Sequence, residues 1–413
     1  MTIFVYELKK LWNWRILALI AAMGMLTWFA VLSEALRSYD SLTTHGIYGS
    51  YQNEMFALYG DTLEPEELAD YDIPGKKAAL IAELDEMIAN ETIFAENHID
   101  SYSEYVEFAN SGYSSDLSEE EKEIFSNTIS TMRSKLDLGN SSQTLDEWYA
   151  SPLIRLQTLE ALEHTYVDYE ASLRSYIDND ARPVVVRTAE KLLQMHNANL
   201  IRYDLCTEFS LYASVVGGFT VVAVIILIAP LLITDRTRKL NLMQYSSTIG
   251  RKIFRLQFAA TFMSALALSI LLIAAAYIPF LASGAGDYWD AHIMSLAGRG
   301  MQLYNITFGQ YTLILAGMTV ALSVGTACFA FILARFSTNI MMMLMKAVPV
   351  GVAVVGIGAL SVNMALSYNN IIFNTIFPGR FDAPEVIVCG LVAVVGMIAA
   401  VVISIREMRV DVA

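Results

Sequence analysis

Hydrophobic and polar positions divide the chain into six long apolar runs and one long polar stretch. The runs cover residues 16–32, 211–234, 257–281, 311–334, 340–366 and 386–405, and only the fifth holds a charge, Lys346. About 20 apolar residues in a helix cross ~30 Å of hydrocarbon. Lipid offers the backbone no partners, so a spanning segment must bond to itself. Each run therefore predicts a membrane-crossing α-helix. The polar stretch, 34–208, falls between the first and second runs. The expected organisation is an N-terminal interfacial helix and first span (1–33), an inserted domain (34–208), and a five-span core (209–413) with a polar segment at 235–255. The expected fold class is an all-α polytopic membrane protein with a helical domain inserted between its first two spans.

The insert has helical rather than strand periodicity. Leu80, Leu84, Met87 and Ile88 mark one helix. Ser118 and Glu121 form a capping box ahead of Phe125, Ile129, Met132 and Leu136. Pro152 suits a first helical turn. Behind it Leu156, Leu159, Leu162, Tyr166, Tyr169, Leu173 and Tyr176 recur at nearly heptad spacing. That seam predicts one long helix packed on a partner. A second long helix is expected from Pro183 through Leu192, Leu193 and Leu200 toward the second span. Together these predict an elongated helical bundle.

Lys and Arg in the short segments orient the spans. Lys9, Lys10 and Arg15 precede the first span. Arg236, Arg238, Lys239, Arg251, Lys252 and Arg255 lie between the second and third, Arg335 follows the fourth, and Arg406 and Arg409 follow the sixth. All fall on one side. The short segments 282–310 and 367–385 on the other side carry only Arg299 and Arg380. Both termini are thus expected in the cytoplasm, and 34–208 outside, in a multi-pass protein of the cell membrane. Lys346 sits six residues into its run and can snorkel to the inner surface; the alternative is a functional intramembrane charge. The first run is 17 residues with no A-x-A after it, which reads as an uncleaved signal anchor.

Charge sharpens this division. Residues 34–208 hold 34 Asp and Glu against 12 Lys and Arg, a net of −22, within a chain whose total is −15. An acidic surface keeps an exposed domain soluble or attracts cationic ligands such as basic peptides or metal ions, and it repels nucleic acid. The cysteines, Cys206, Cys328 and Cys389, form no disulfide framework. No two histidines stand at metal-ligand spacing and no H-E-x-x-H occurs, so no metal site is expected. No carboxylate or histidine falls within any run, which argues against an intramembrane enzyme. A secondary transporter would need buried coupling charges and repeated halves.

The basic face carries the most specific residues. Phe4, Leu8, Leu11 and Trp12 line one side of a helix with Lys9 and Lys10 beside it, as in an interfacial helix. After the second run, Leu240, Leu242 and Met243 give an apolar face among bases. Ser246, Ser247 and Gly250 then break the helix, and Arg251 and Lys252 restart it. Plain anchoring by basic flanks would explain both segments. The N-terminal YELKKLWNWR, the large insert and the YSSTIGRK turn at 245–252 together resemble the ABC-2 type transporter permeases, in particular those with a large extracytoplasmic insert found in Firmicutes. This chain keeps Asp235, Tyr245, Ser246, Ser247, Gly250 and Arg251 of that pattern. It departs from it at Lys239 to Asn241, where a Gly-Thr pair is usual, and at Gln257, where a lysine is usual.

The resemblance covers the six-span core and implies a permease subunit, an exporter, coupled to a separate dimer of ATPase subunits and paired with a second permease, identical or paralogous. Contact with the ATPase would fall to Asp235, Arg236, Arg238, Lys239, Tyr245, Ser246, Gly250, Arg251 and Lys252, and to Glu7, Lys9, Lys10 and Trp12 on the N-terminal helix. The chain has no G-x-x-x-x-G-K-[ST] phosphate loop. ATP and Mg²⁺ would belong to the partner, and no cofactor is expected here. The main alternative is an extracytoplasmic ligand-sensing or signalling protein without transport. A four-span permease working by mechanical pull fits poorly, because five runs follow the insert.

Overall fold

The computed structural model describes residues 2–37, 39, 49–111, 118–137, 148, 150–196, 198–201, 203–230, 233, 250–297 and 300–409. Among the described residues, six helices are long and apolar enough to cross a membrane: Trp14–Arg37, Leu205–Ile228, Ile253–Ala282, Phe308–Arg335, Ile340–Val362 and Pro384–Arg406. The protein is an all-α polytopic membrane protein, with strands reduced to two-residue pairs among the described residues.

Helix α1 (Thr2–Leu11) precedes α2 (Trp14–Thr27), which continues through a π turn at Trp28–Leu32. The insert holds α3 (Gly49–Tyr59), α4 (Pro65–Asp70), α5 (Ile73–Asn90), α6 (Thr92–Glu96), α7 (Tyr102–Ser111), α8 (Glu119–Leu136), α9 (Pro152–Tyr166), α10 (Tyr169–Asn179) and α11 (Pro183–Met195). The remaining membrane helices are α12 (Tyr203–Ile228), α13 (Gly250–Ala282), α14 (Phe308–Arg335), α15 (Ile340–Val362) and α16 (Pro384–Arg409). The alternating crossings put the insert and the segments after α13 and α15 on one face, here the insert face. The other is the terminal face.

Helix α14 is the centre of the bundle and packs on α12, α13, α15 and α16. Its approach to α16 depends on glycine. A Cβ added at Gly325 would lie 2.7 Å from the Val392 carbonyl oxygen, and one at Gly396 would lie 2.8 Å from the Gly325 carbonyl oxygen. Small residues permit such backbone contact where no hydrophobic force drives helices together in lipid.

The core of the insert is formed by Leu80, Leu84 and Ile88 of α5 against Leu156, Leu159 and Leu162 of α9, all buried. The same core takes in Met294, Leu296, Met301 and Leu303 from the segment after α13, and Phe373 from the segment after α15. The insert therefore packs directly onto the membrane bundle. A short antiparallel pair, β1 (Thr62–Leu63) with β2 (Ala198–Asn199), ties its beginning to its end. A second pair, β3 (Leu296–Ala297) with β4 (Gly300–Met301), lies beneath it.

The capping box at Ser118 and Glu121 is present, and Ser151 caps the helix that begins at Pro152. Two expectations change. The near-heptad seam is two helices, because its partner changes: α9 packs on α5, whereas α10 turns to pack on α11. The turn falls at Val167 and Asp168, beside the buried Tyr166, whose hydroxyl accepts from Gln52 Nε2 at 3.0 Å. Nor does the helix from Pro183 reach Leu200. It stops at Met195, where His196 adopts φ 55°, and the chain turns into β2. Leu200 is buried in that connector and donates its N–H to the Asp61 carbonyl.

Candidate functional site

On the terminal face, α1 is seated on the first turns of α13. Phe4, Glu7, Leu8 and Leu11 recur at helical spacing, so Glu7 shares the face that packs. Leu11 is buried against Ala260, with Phe4, Leu8 and Trp12 around it. Glu7 is only 3% exposed. Its Oε1 accepts from Lys10 Nζ at 2.9 Å and its Oε2 from Gln257 Nε2 at 3.4 Å. The Trp12 indole donates to Ser264 Oγ at 3.0 Å. A buried carboxylate is tolerated only when paired and bonded, and Lys10 and Gln257 supply both. Asn13 then turns the chain, accepting the Arg15 N–H to cap α2.

Of the N-terminal residues singled out by the sequence, Glu7, Lys10 and Trp12 thus converge on α13, while Lys9 is exposed and faces away. Gly250, Arg251 and Lys252 form the first turn of α13. Asp235, Arg236, Arg238, Lys239, Tyr245 and Ser246 lie outside the described residues. Helix α13 has 33 residues, about 50 Å at 1.5 Å per residue, so one rod joins this face to the insert face. Near its far end the Ala276 carbonyl accepts from the Tyr212 hydroxyl at 2.8 Å, and Phe280 packs on Tyr212 with centroids 5.1 Å apart. Lys346 Nζ donates to the Phe336 carbonyl at 2.8 Å, at the end of α14.

On the insert face a second cluster joins α11 to the segment between α15 and α16. Arg182, at the start of α11, pairs with Asp180, donates from Nη1 to Asn374 Oδ1 at 2.7 Å, and lies 4.0 Å over the Tyr368 ring. The guanidinium holds the Asp180 carboxyl below its ordinary range. Gly379 passes close by at φ 61°. One turn along α11, Arg187 reaches Asp382 at 2.8 Å and Thr188 Oγ1 donates to the Leu303 carbonyl at 2.9 Å. The Ala383 N–H donates to the Tyr304 hydroxyl at 2.7 Å; burial raises that phenol to about 12, so it stays neutral. Asn370 ends α15, donating to the carbonyls of Leu360, Ser361 and Asn363 and accepting from Ile372 and Phe373.

Strain gathers in this cluster. Met364, Leu366 and Ala383 have φ of 51°, 60° and 46°, a region costing about 1–3 kcal/mol for residues other than glycine. The Leu366 N–H donates to Glu385 Oε1 at 2.7 Å, and Glu385 is 1% exposed. Sequence reasoning missed Glu385, which stands one residue ahead of the last uncharged run. Its signal is a carboxylate directly after Pro384, in the first turn of a helix. Arg182 was missed as well, because Asn374 and Tyr368 lie far from it in sequence, and Gln257, noted only as a departure from the permease pattern, meets Glu7 250 positions away.

Among the described residues, no three His, Cys, Asp or Glu side chains come together as a metal-binding group. No protein-family model matches the sequence, and no curated protein or solved structure matches the chain.

Proposed function

We propose that this chain is the membrane subunit of an ATP-driven exporter, with both termini in the cytoplasm and the acidic insert outside the cell. The observation that carries this reading is the seating of α1 on α13 through Glu7, Gln257, Trp12 and Ser264. The N-terminal helix and the start of α13, into which the second docking segment leads, then move as one body. A separate ATPase dimer, binding ATP and Mg²⁺, would press on α1 and on the segment 235–252. A second permease, identical or paralogous, would complete the path. Because α13 is a continuous rod, a tilt imposed at Gly250 is delivered to Tyr212 and Phe280 near the insert face. Helix tilting of this kind switches a path between inward and outward access.

The test is co-purification from the membranes of the source cells. An ATPase with a phosphate-binding loop is expected to accompany the tagged wild-type chain. Arg251→Glu with Lys252→Glu is expected to abolish that association while leaving membrane insertion intact. Equal recovery of the ATPase with the charge-reversed chain would refute the docking.

A further inference from the structure

Apart from the membrane bundle and its two end clusters, the insert carries a cleft of 350 Å³ that the transport reading does not use. Leu68, Val167, Leu173 and Leu192 form its walls, and Glu64, Glu170 and His196 stand around it. It lies where three elements end: the β1–α4 turn, the break between α9 and α10, and the left-handed stop of α11 at His196. Ligand pockets measure ~300–1,000 Å³, so this one takes a few aliphatic or aromatic side chains rather than a whole large molecule.

We propose that the cleft binds an amphipathic cationic peptide, which places apolar side chains between Leu68 and Leu192 and basic ones beside Glu64 and Glu170. Charge complementarity selects that occupant. The insert carries −22 over 175 residues, and a field of one sign concentrates ligands of the other. Both cleft carboxylates belong to exposed residues. Arg174, one turn along α10, approaches Glu170 at 3.8 Å and offsets part of its charge; at Glu64, the backbone N–H donates to Glu67 Oε2 at the start of α4. An anionic lipid headgroup or acidic peptide meets the same field as repulsion. The walls then supply what charge alone cannot, a water-excluding contact for Leu- or Phe-sized groups. The last turn of α11 lines the cleft and its first turns carry Arg182 and Arg187, so an occupied cleft touches the helix clamped to Asp382 and Asn374.

Binding by the purified full-length chain tests this independently of transport or of any ATPase. The chain is placed in nanodiscs of zwitterionic phosphatidylcholine, and a short fluorescent peptide of leucine and lysine is titrated, with empty nanodiscs as the blank. Saturable one-to-one binding that weakens with added salt is expected. Replacing lysine by glutamate or leucine by serine in the peptide should each abolish it. Glu64→Gln with Glu170→Gln should weaken binding about tenfold. Val167→Arg fills the cleft with a charge of the wrong sign from a residue already 59% exposed, so it should remove binding without unfolding the insert. Binding unchanged in both variants, equal binding of the glutamate peptide, or uptake matching empty nanodiscs would each overturn the proposal.

Discussion

The Leu366 N–H donates to the buried Glu385 carboxylate at 2.7 Å, and Leu366 is held at φ 60° as it does so. The bond closes most of the segment between α15 and α16. It joins a residue four past the end of α15 to the first turn of α16, which stabilises a backbone conformation that leucine ordinarily avoids. Glu385→Ala should therefore orphan a buried N–H and lower stability by roughly 1–3 kcal/mol. Glu385→Gln keeps an acceptor and should cost much less. Thermal unfolding in detergent checks both, and equal midpoints for the two variants would disprove the role of the bond.

Gly379 tests the clamp around Arg182. An added Cβ would come within 2.4 Å of the Arg182 Cβ, and φ is 61°. Gly379→Ala should be destabilising by about 1–3 kcal/mol. Gly356→Ala, on a membrane helix with nothing within 4 Å of the added atom, should be close to neutral. A midpoint shift confined to Gly379→Ala is the expected result.

Acid should loosen the same clamp. The folded Asp180 carboxyl lies below its ordinary range because of Arg182. A lowered carboxylate contributes stability that is complete above the unfolded value of about 3.9 and is lost as pH falls through the folded value. The insert should thus hold its clamp at neutral and mildly acidic pH and release it only in strong acid. Asp180→Asn should be less stable at neutral pH and should lose this part of the acid dependence, read from unfolding midpoints across the acid range.

Docking of α1 can be trapped directly. Leu11 is buried against Ala260, so Leu11→Cys with Ala260→Cys should cross-link on oxidation. Glu7→Ala should reduce the yield, because Gln257 and Lys10 lose their shared acceptor. Trp12→Phe keeps the packing and removes only the bond to Ser264, so it should reduce the yield less. A cross-link insensitive to Glu7→Ala would show that apolar contact alone holds the helix.

Six crossings, an acidic helical insert, the cap at Ser118 and the helix start at Pro152 were legible in the sequence. Each rests on local physics: hydrocarbon thickness, helical period and the side chains that satisfy free N–H groups at a helix start. The apolar stripe of α1 was legible for the same reason, since Phe4, Leu8, Leu11 and Trp12 lie within three turns of one helix. What covers that stripe was not, because Gln257, Ala260 and Ser264 come some 250 positions later. The seam from Leu156 to Tyr176 shows the limit well. Its spacing is right for one helix, yet a change of partner from α5 to α11 splits it at Val167.

The sequence alone determined where the chain crosses lipid and where charge collects, since burial in hydrocarbon and repulsion between like charges depend on residue type and order. Only the tertiary structure decided that Glu7 and Glu385 are buried, that Arg182 grips the segment between α15 and α16, and that the insert shares its core with the bundle. Each of these needs distant residues at bonding distance, and which distant groups meet is settled by packing the whole chain.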